Sequence, residues 1–193
     1  MEVRSSAKRT LFFHSSPDFL QSLPSLLTSL RVVILPHLVY SFNQGFTPIV
    51  YSLFLLAIGT DFADGLLARK LGVTSKFGAF FDTTVDFIFI LGLYGMFVNS
   101  GLYSSWLLAI MLLMYLQFML SNFFFKQTIY DPIGKYYGSL LFGGIGLTLL
   151  FPGQLMYGVV ITGILLSTLA SIISRLTYFI GERTKLTRGT SEL

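Results

Sequence analysis

Along most of this chain apolar residues come in long unbroken runs, parted by short polar breaks, rather than alternating with polar ones. A helix needs about 20 consecutive apolar residues to cross a bilayer. The first candidate runs from about Ser25 to Phe42 and stops at Asn43-Gln44-Gly45. The second begins near Thr47-Pro48 and stays apolar to Thr60. The third covers about Gly78 to Val98, the fourth about Tyr103 to Phe125, the fifth about Gly138 to Phe151 and the sixth about Leu155 to Tyr178. Phe151-Pro152-Gly153-Gln154 predicts a tight turn between the last two. Ahead of the first run, Pro17 to Leu23 predicts a short amphipathic helix lying at the interface. The pattern predicts an all-α, polytopic membrane protein with about six transmembrane helices. A basic tail over residues 1–16 would lead into a single membrane domain over residues 17–193.

Composition agrees. Hydrophobic residues make up 53% of the chain and charged ones 11%, against roughly 25% charged in an ordinary soluble domain. No cysteine is present, which excludes disulfides, thiolate metal sites and cysteine nucleophiles. No internal repeat and no nucleic-acid motif is visible. Arg4, Lys8 and Arg9 in an acid-poor start predict a cytoplasmic tail beside the membrane, with an organelle transit segment as the alternative.

The thirteen Lys and Arg residues test the span count. With six spans, the connections Asn43 to Pro48, Asn99 to Ser105 and Pro152 to Gln154 share one side, and none holds a Lys, Arg, Asp or Glu. The basic residues fall in the tails, the other two connections, or helix ends beside them. Cytoplasmic loops carry the excess of Lys and Arg, so both termini and both charged connections are expected in the cytoplasm. The plasma membrane of a prokaryote is the expected location, with an organelle membrane as the alternative.

Ionisable groups within spans are costly and point to function. Asp61 and Asp64 are three apart at the end of the second run; Asp82 and Asp86 are four apart at the start of the third. Each spacing sets two carboxylates on one helical face. The short connection brings the pairs together, and four clustered carboxylates repel one another unless a cation joins them. An all-carboxylate donor set suits Mg²⁺ or Mn²⁺. Four carboxylates are enough for two ions, the arrangement used for in-line displacement at phosphorus. The small residues Gly65, Ala68 and Gly78 leave room on these faces, and Arg69 is a bidentate donor suited to phosphate. The alternative is that the aspartates are interfacial helix ends paired with Arg69, Lys70 and Lys76.

Residues 61–86 read DFADGLLARKLGVTSKFGAFFDTTVD. This resembles the signature of the CDP-alcohol phosphatidyltransferase family, D-x2-D-G-x2-A-R-x8-G-x3-D-x3-D. All eight defining positions are met, by Asp61, Asp64, Gly65, Ala68, Arg69, Gly78, Asp82 and Asp86. The motif covers about an eighth of the chain, and the six-span pattern around it is similar to the family's. The resemblance implies that Asp61, Asp64 and Asp82 bind metal and that Asp86 is the general base, also touching a metal. It implies that Gly65, Ala68, Arg69 and Gly78 shape the site for the CDP moiety. The implied reaction transfers a phosphatidyl or archaetidyl group from a CDP-linked lipid to a small alcohol and releases CMP, in phospholipid biosynthesis. The family's first span tends to open with Pro-Asn-x-Leu-Thr-x-x-Arg. Pro24 to Arg31 is similar, with Ser25 in place of Asn, and this makes Thr28 and Arg31 candidates for the CDP moiety. A homodimer, with the third and fourth spans in contact, is also implied.

The acceptor is less legible. Lys135 and Arg175 lie at helix ends on the same side as the aspartates and suit a phosphorylated acceptor such as glycerol 3-phosphate or inositol phosphate. Anchoring to anionic lipid head groups is the other reading. In the glycerophosphate and cardiolipin branches a Lys commonly follows the last aspartate, whereas this chain has Phe87, which counts against those branches and leaves serine and inositol open as unphosphorylated acceptors. His14 and His37 form no metal pair. Two alternatives remain: a CDP-choline or CDP-ethanolamine type enzyme acting on a lipid alcohol, and a membrane protein that binds or transports a cation without chemistry.

Overall fold

The computed structural model describes residues 17–71, 76–125 and 134–189. They form six helices: α1 (Pro17–Asn43), α2 (Thr47–Leu71), α3 (Lys76–Asn99), α4 (Trp106–Phe125), α5 (Gly134–Leu150) and α6 (Gln154–Gly189). The order matches the six apolar runs. Pro17 to Leu23 is helical as expected and continues without a break into α1. At the other end α6 runs eleven residues past Tyr178, into the basic segment. Residues 1–16, with the tail and His14, lie outside the described residues.

Among the described residues, three stretches are long and apolar enough to cross a membrane, Thr47–Leu66, Phe80–Asn99 and Gln154–Thr177. Trp106–Leu120 and Tyr136–Leu150 are apolar but shorter. The outer faces present Leu55, Leu56, Leu113, Leu120, Leu166 and Leu169. In water that exposure would be prohibitive; in lipid it costs nothing, because the tails are as apolar as leucine.

Two of the breaks are built alike. Gly45 has φ +72° and Gly101 φ +76°, the left-handed conformation in which glycine ends helices. Phe46 N–H donates to Ser41 O at 2.9 Å and Gly45 N–H to Phe42 O at 3.0 Å. Leu102 N–H donates to Phe97 O at 2.9 Å and Gly101 N–H to Val98 O at 3.0 Å. These bonds satisfy the last carbonyls of α1 and α3, which hydrocarbon would leave unpaired.

Helix α1 packs on α2 and α3, α3 also touches α4 and α5, and α5 packs on α6. The core between them is apolar and aromatic, with Leu38, Phe89, Leu93, Tyr94, Phe97 and Ile145 buried. Several of its hydroxyls are tied to neighbours. Tyr94 donates to Leu141 O at 3.2 Å, Tyr51 to Leu149 O at 2.8 Å, and Tyr103 pairs with Thr148 at 2.6 Å. Tyr103 lies in the α3–α4 connection, and burial pushes its hydroxyl above the ordinary phenol range, so it stays a neutral partner. Gly144 marks the tightest approach: a Cβ there would stand 2.5 Å from Tyr94 Oη and 3.0 Å from Val160 Cγ1. These contacts fix α3, α5 and α6 against each other, and so fix the frame on which the aspartates are carried.

Candidate active site

The four aspartates meet. Asp61 and Asp64 come from the C-terminal part of α2, Asp82 and Asp86 from the first turns of α3. Oxygens of Asp61, Asp64 and Asp82 all lie within 4.8 Å of one another. Asp64 is the buried member, while Asp61 and Asp82 keep 44% and 39% of their side-chain surface open. Asp86 is intermediate at 25%.

Helix α1 closes the cluster from the third side. Thr28 Oγ1 lies 3.2 Å from Asp64 Oδ2 and 3.0 Å from Asp82 Oδ1, so its single hydrogen is shared between the two helices' carboxylates. Arg31 has no exposed surface, and its guanidinium faces all four acids. Nη2 is 3.1 Å from Asp61 and 3.2 Å from Asp82 and also pairs with Asp64; Nη1 pairs with Asp86. An isolated buried arginine would be prohibitively costly; here each side's desolvation is offset by the other.

The donors are all carboxylate oxygens, the hard ligand type that Mg²⁺ and Mn²⁺ prefer. The guanidinium already stands as a cation at their centre. One positive charge among four negative ones leaves the cluster anionic and able to attract a divalent ion. The cluster fits the group.

The expected glycines take their places around it. Gly65 follows Asp64 on α2, and Gly78 lies one turn before Asp82 on α3; both are half-buried. Ala68 and Arg69 belong to α2 and Lys135 to the first turn of α5, but their side chains lie outside the described residues. Arg175 is buried on α6, in line with Thr168 and Ser171. His37 is exposed, with Nδ1 2.9 Å from Val33 O of its own helix, and has no place in the site. Phe87 turns away toward α4 and stacks on Tyr115 at 3.9 Å with 4° between the rings.

One feature was not foreseen from the sequence. A cleft of 560 Å³ starts at Asp61 and Asp86 and runs between α2, α3 and α5 to Tyr51 and Leu149. Its walls are apolar, with Phe54, Ile58, Ile90 and Phe142, and its floor on α5 is glycine, Gly138, Gly143 and Gly146. Ten residues of α2 at 1.5 Å rise make it about 15 Å deep. That is one leaflet of a hydrocarbon core about 30 Å thick. The closely spaced glycines of α5 were its only trace in the sequence.

Residues 21–178 match the family described as CDP-alcohol phosphatidyltransferase. The chain belongs to the CDP-alcohol phosphatidyltransferase family. The match begins in α1 and ends in α6, so it takes in Thr28, Arg31, all four aspartates and Arg175. A Salmonella choleraesuis protein named CDP-diacylglycerol–glycerol-3-phosphate 3-phosphatidyltransferase is 38% identical over 88 residues, 44% of this chain and 47% of that one. A Yersinia enterocolitica protein of the same name is 39% identical over 72 residues, 36% of this chain and 40% of its own. One from Pectobacterium atrosepticum is 35% identical over 88 residues, covering 44% and 47%. The matched stretch thus spans less than half the length of these curated relatives.

Proposed function

We propose that this protein transfers a phosphatidyl (or archaetidyl) group from a CDP-linked lipid to a small alcohol, releasing CMP, in phospholipid synthesis. The observation that carries this reading is the junction of an anionic, cation-binding cluster with an apolar cleft one leaflet deep. A CDP-lipid has the same two halves, a diphosphate and acyl or ether chains. Family membership supports the class of reaction.

Asp61, Asp64 and Asp82 hold the metal, Mg²⁺ or Mn²⁺, with Asp86 contributing a further oxygen; two ions suit the four carboxylates. When bound, the ions neutralise the diphosphate and stabilise the CMP leaving group. Gly65 and Gly78 keep the backbone open to the CDP moiety, with Ala68, Arg69, Thr28 and Arg31 beside it. Asp86, at the mouth of the cleft, takes the proton of the acceptor hydroxyl. The acceptor oxygen bonds to the lipid-side phosphorus, the phosphoanhydride bond to CMP breaks, and CMP leaves with the electron pair. Helix α1 keeps the carboxylates of α2 and α3 at bonding distance through Thr28.

The acceptor we assign is glycerol 3-phosphate, the one in the names of the relatives. Phe87 argued the other way in the sequence. Its ring is engaged with Tyr115, so a cation for the acceptor's phosphate has to come from elsewhere, and Arg175 and Lys135 are the candidates. Both termini and the site are assigned to the cytoplasmic face of a prokaryotic plasma membrane, where the charged connections lie and where CMP reaches water. A homodimer through α3 and α4 follows from the family resemblance.

The test is CMP release from CDP-diacylglycerol by detergent-purified protein with Mn²⁺, offered glycerol 3-phosphate, inositol phosphate, inositol and serine in parallel. Release with glycerol 3-phosphate and a product of matching mass supports the assignment. Release with another acceptor alone corrects the acceptor and keeps the class. Release with none of them, from folded protein, removes the reading.

A further inference from the structure

Of the polar side chains that line the cleft, Asp61 and Asp86 belong to the cluster and Tyr51 donates to Leu149 O at 2.8 Å; Ser139 on α5 has no such tie. Ser52, Thr84, Thr148 and Thr162 each return their hydrogen to a carbonyl one turn back in their own helix, the usual way a hydroxyl is satisfied there. Ser139 is exposed, and its hydroxyl forms no hydrogen bond among the described residues. A hydroxyl without a partner beside hydrocarbon is costly, and here a ligand can supply the acceptor. The packing of α5 on α2 sets its height. Tyr51 meets Leu149. Three residues along α2, Phe54 stands 3.5 Å from the place of a Cβ on Gly146, three residues back along α5. The two helices run antiparallel in step, and seven more residues on each bring Asp61 level with Ser139, both on the cleft. Asp64 and Asp82 stand about one turn, ~5 Å, farther from the cleft than Asp61 and Asp86. Ser139 is thus at the edge of the cluster that borders the apolar cleft. Gly138 and Gly143 beside it have nothing within 4 Å of a would-be Cβ, which leaves space for a branched group.

A CDP-lipid laid along this path has its diphosphate among the carboxylates and its chains between Phe54 and Phe142. The linkages of those chains to glycerol then fall at the boundary where Ser139 stands. We propose that Ser139 reads the linkage: its hydroxyl donates to an ester carbonyl of the donor lipid, so that the site selects an ester-linked diacyl donor over an ether-linked dialkyl one. A carbonyl oxygen offers two lone pairs to a donor, whereas an ether oxygen is a weaker acceptor crowded by two alkyl groups. The inference rests on reading the cleft as the place of the CDP-lipid, and it names the class of lipid taken. Ser139 touches the donor away from the reacting phosphorus, so it is a specificity residue and not a catalytic one. One neutral hydrogen bond corresponds to a factor of about five in relative kcat/KM.

Internal competition tests this. Detergent-purified full-length protein with Mn²⁺ and glycerol 3-phosphate, or whichever acceptor supports release, is offered two donors at once. These are CDP-diacylglycerol and its dialkyl ether counterpart of equal chain length, in equal amounts. The two lipid products are quantified by mass spectrometry at low conversion. Their ratio is the ratio of kcat/KM values, independent of how much of the protein is folded. The unaltered protein should favour the diacyl donor about fivefold. Ser139→Ala should bring the ratio close to one, and Ser139→Thr, which keeps the hydroxyl, should retain the preference. A ratio near one in the unaltered protein, or one that favours the ether lipid, would overturn the proposal. So would a preference that survives in Ser139→Ala. If that variant slows both donors alike at an unchanged ratio, the hydroxyl serves the phosphate or the acceptor, and the linkage reading is wrong. Release of CMP from neither donor with any acceptor would remove the transfer reading itself, and the inference with it; an altered product ratio bears on Ser139 alone.

Discussion

Thr28 shows what single side chains contribute here. Its hydroxyl lies within 3.2 Å of carboxylates from two different helices, so it orients the proposed metal ligands. Outer-shell partners of this kind are typically worth 10- to 100-fold in metal affinity or activity. Thr28→Val, which keeps the shape, should therefore weaken Mn²⁺ binding by roughly tenfold and leave the helices in place, checked by Mn²⁺ titration beside circular dichroism. The four aspartates were legible in the sequence because charge in an apolar helix is rare and their spacings, three and four, put each pair on one face. What the sequence did not reveal was their contact with Thr28 and Arg31. Fifty-odd residues separate Thr28 from Asp82, and only the crossing of α1 over α2 and α3 joins them. The motif pattern assigned both residues to the nucleotide, whereas in the fold they lie first of all on the aspartates.

Helix α5 behaves as two faces with different jobs, and its glycines divide accordingly. Gly144 faces the core, where a Cβ would press on Tyr94 Oη and Val160. Gly144→Ala should cost about 1–3 kcal/mol, the usual range for overpacking, read as a lower unfolding midpoint in detergent. Gly143 faces the cleft and has nothing within 4 Å of its would-be Cβ. Gly143→Leu should fold normally, yet fill the path of the lipid chains. Turnover of a long-chain CDP-lipid is expected to fall by about tenfold, with a short-chain donor little affected. Equal loss for both donors would mean that the chains do not lie along α5. Element existence was plain from the apolar runs, and Asn43-Gln44-Gly45 and Asn99-Ser100-Gly101 marked helix ends whose glycines do adopt positive φ. The cleft was not plain, because a glycine in a membrane helix reads equally as close packing or as open space. Only the positions of Phe54 and Phe142 on facing helices decide between them.

For the whole molecule, the uneven placement of charge makes a topological statement that the absence of native cysteine renders easy to test. A cysteine at Ser100, exposed in the uncharged α3–α4 connection, should react in intact cells with a membrane-impermeant maleimide. One at Ser5, in the basic tail, should react only after the membrane is opened. The reverse labelling would turn the site to the outer face and remove its access to cytoplasmic nucleotide. Orientation and site belong together, since the same end of the bundle carries the aspartates, Arg175 and the mouth of the cleft. The central claim is that those four carboxylates, loaded with divalent metal, carry out transfer from a CDP-lipid. The most direct measurement is CMP release by the unaltered protein and by Asp86→Asn, each before chelation, after chelation, and after Mn²⁺ is restored. Release that chelation abolishes and Mn²⁺ restores is expected from the unaltered protein, with a rate lower by roughly 10²–10⁴-fold in the variant wherever metal is present. Release that survives chelation, or an Asp86→Asn rate equal to that of the unaltered protein, would contradict it.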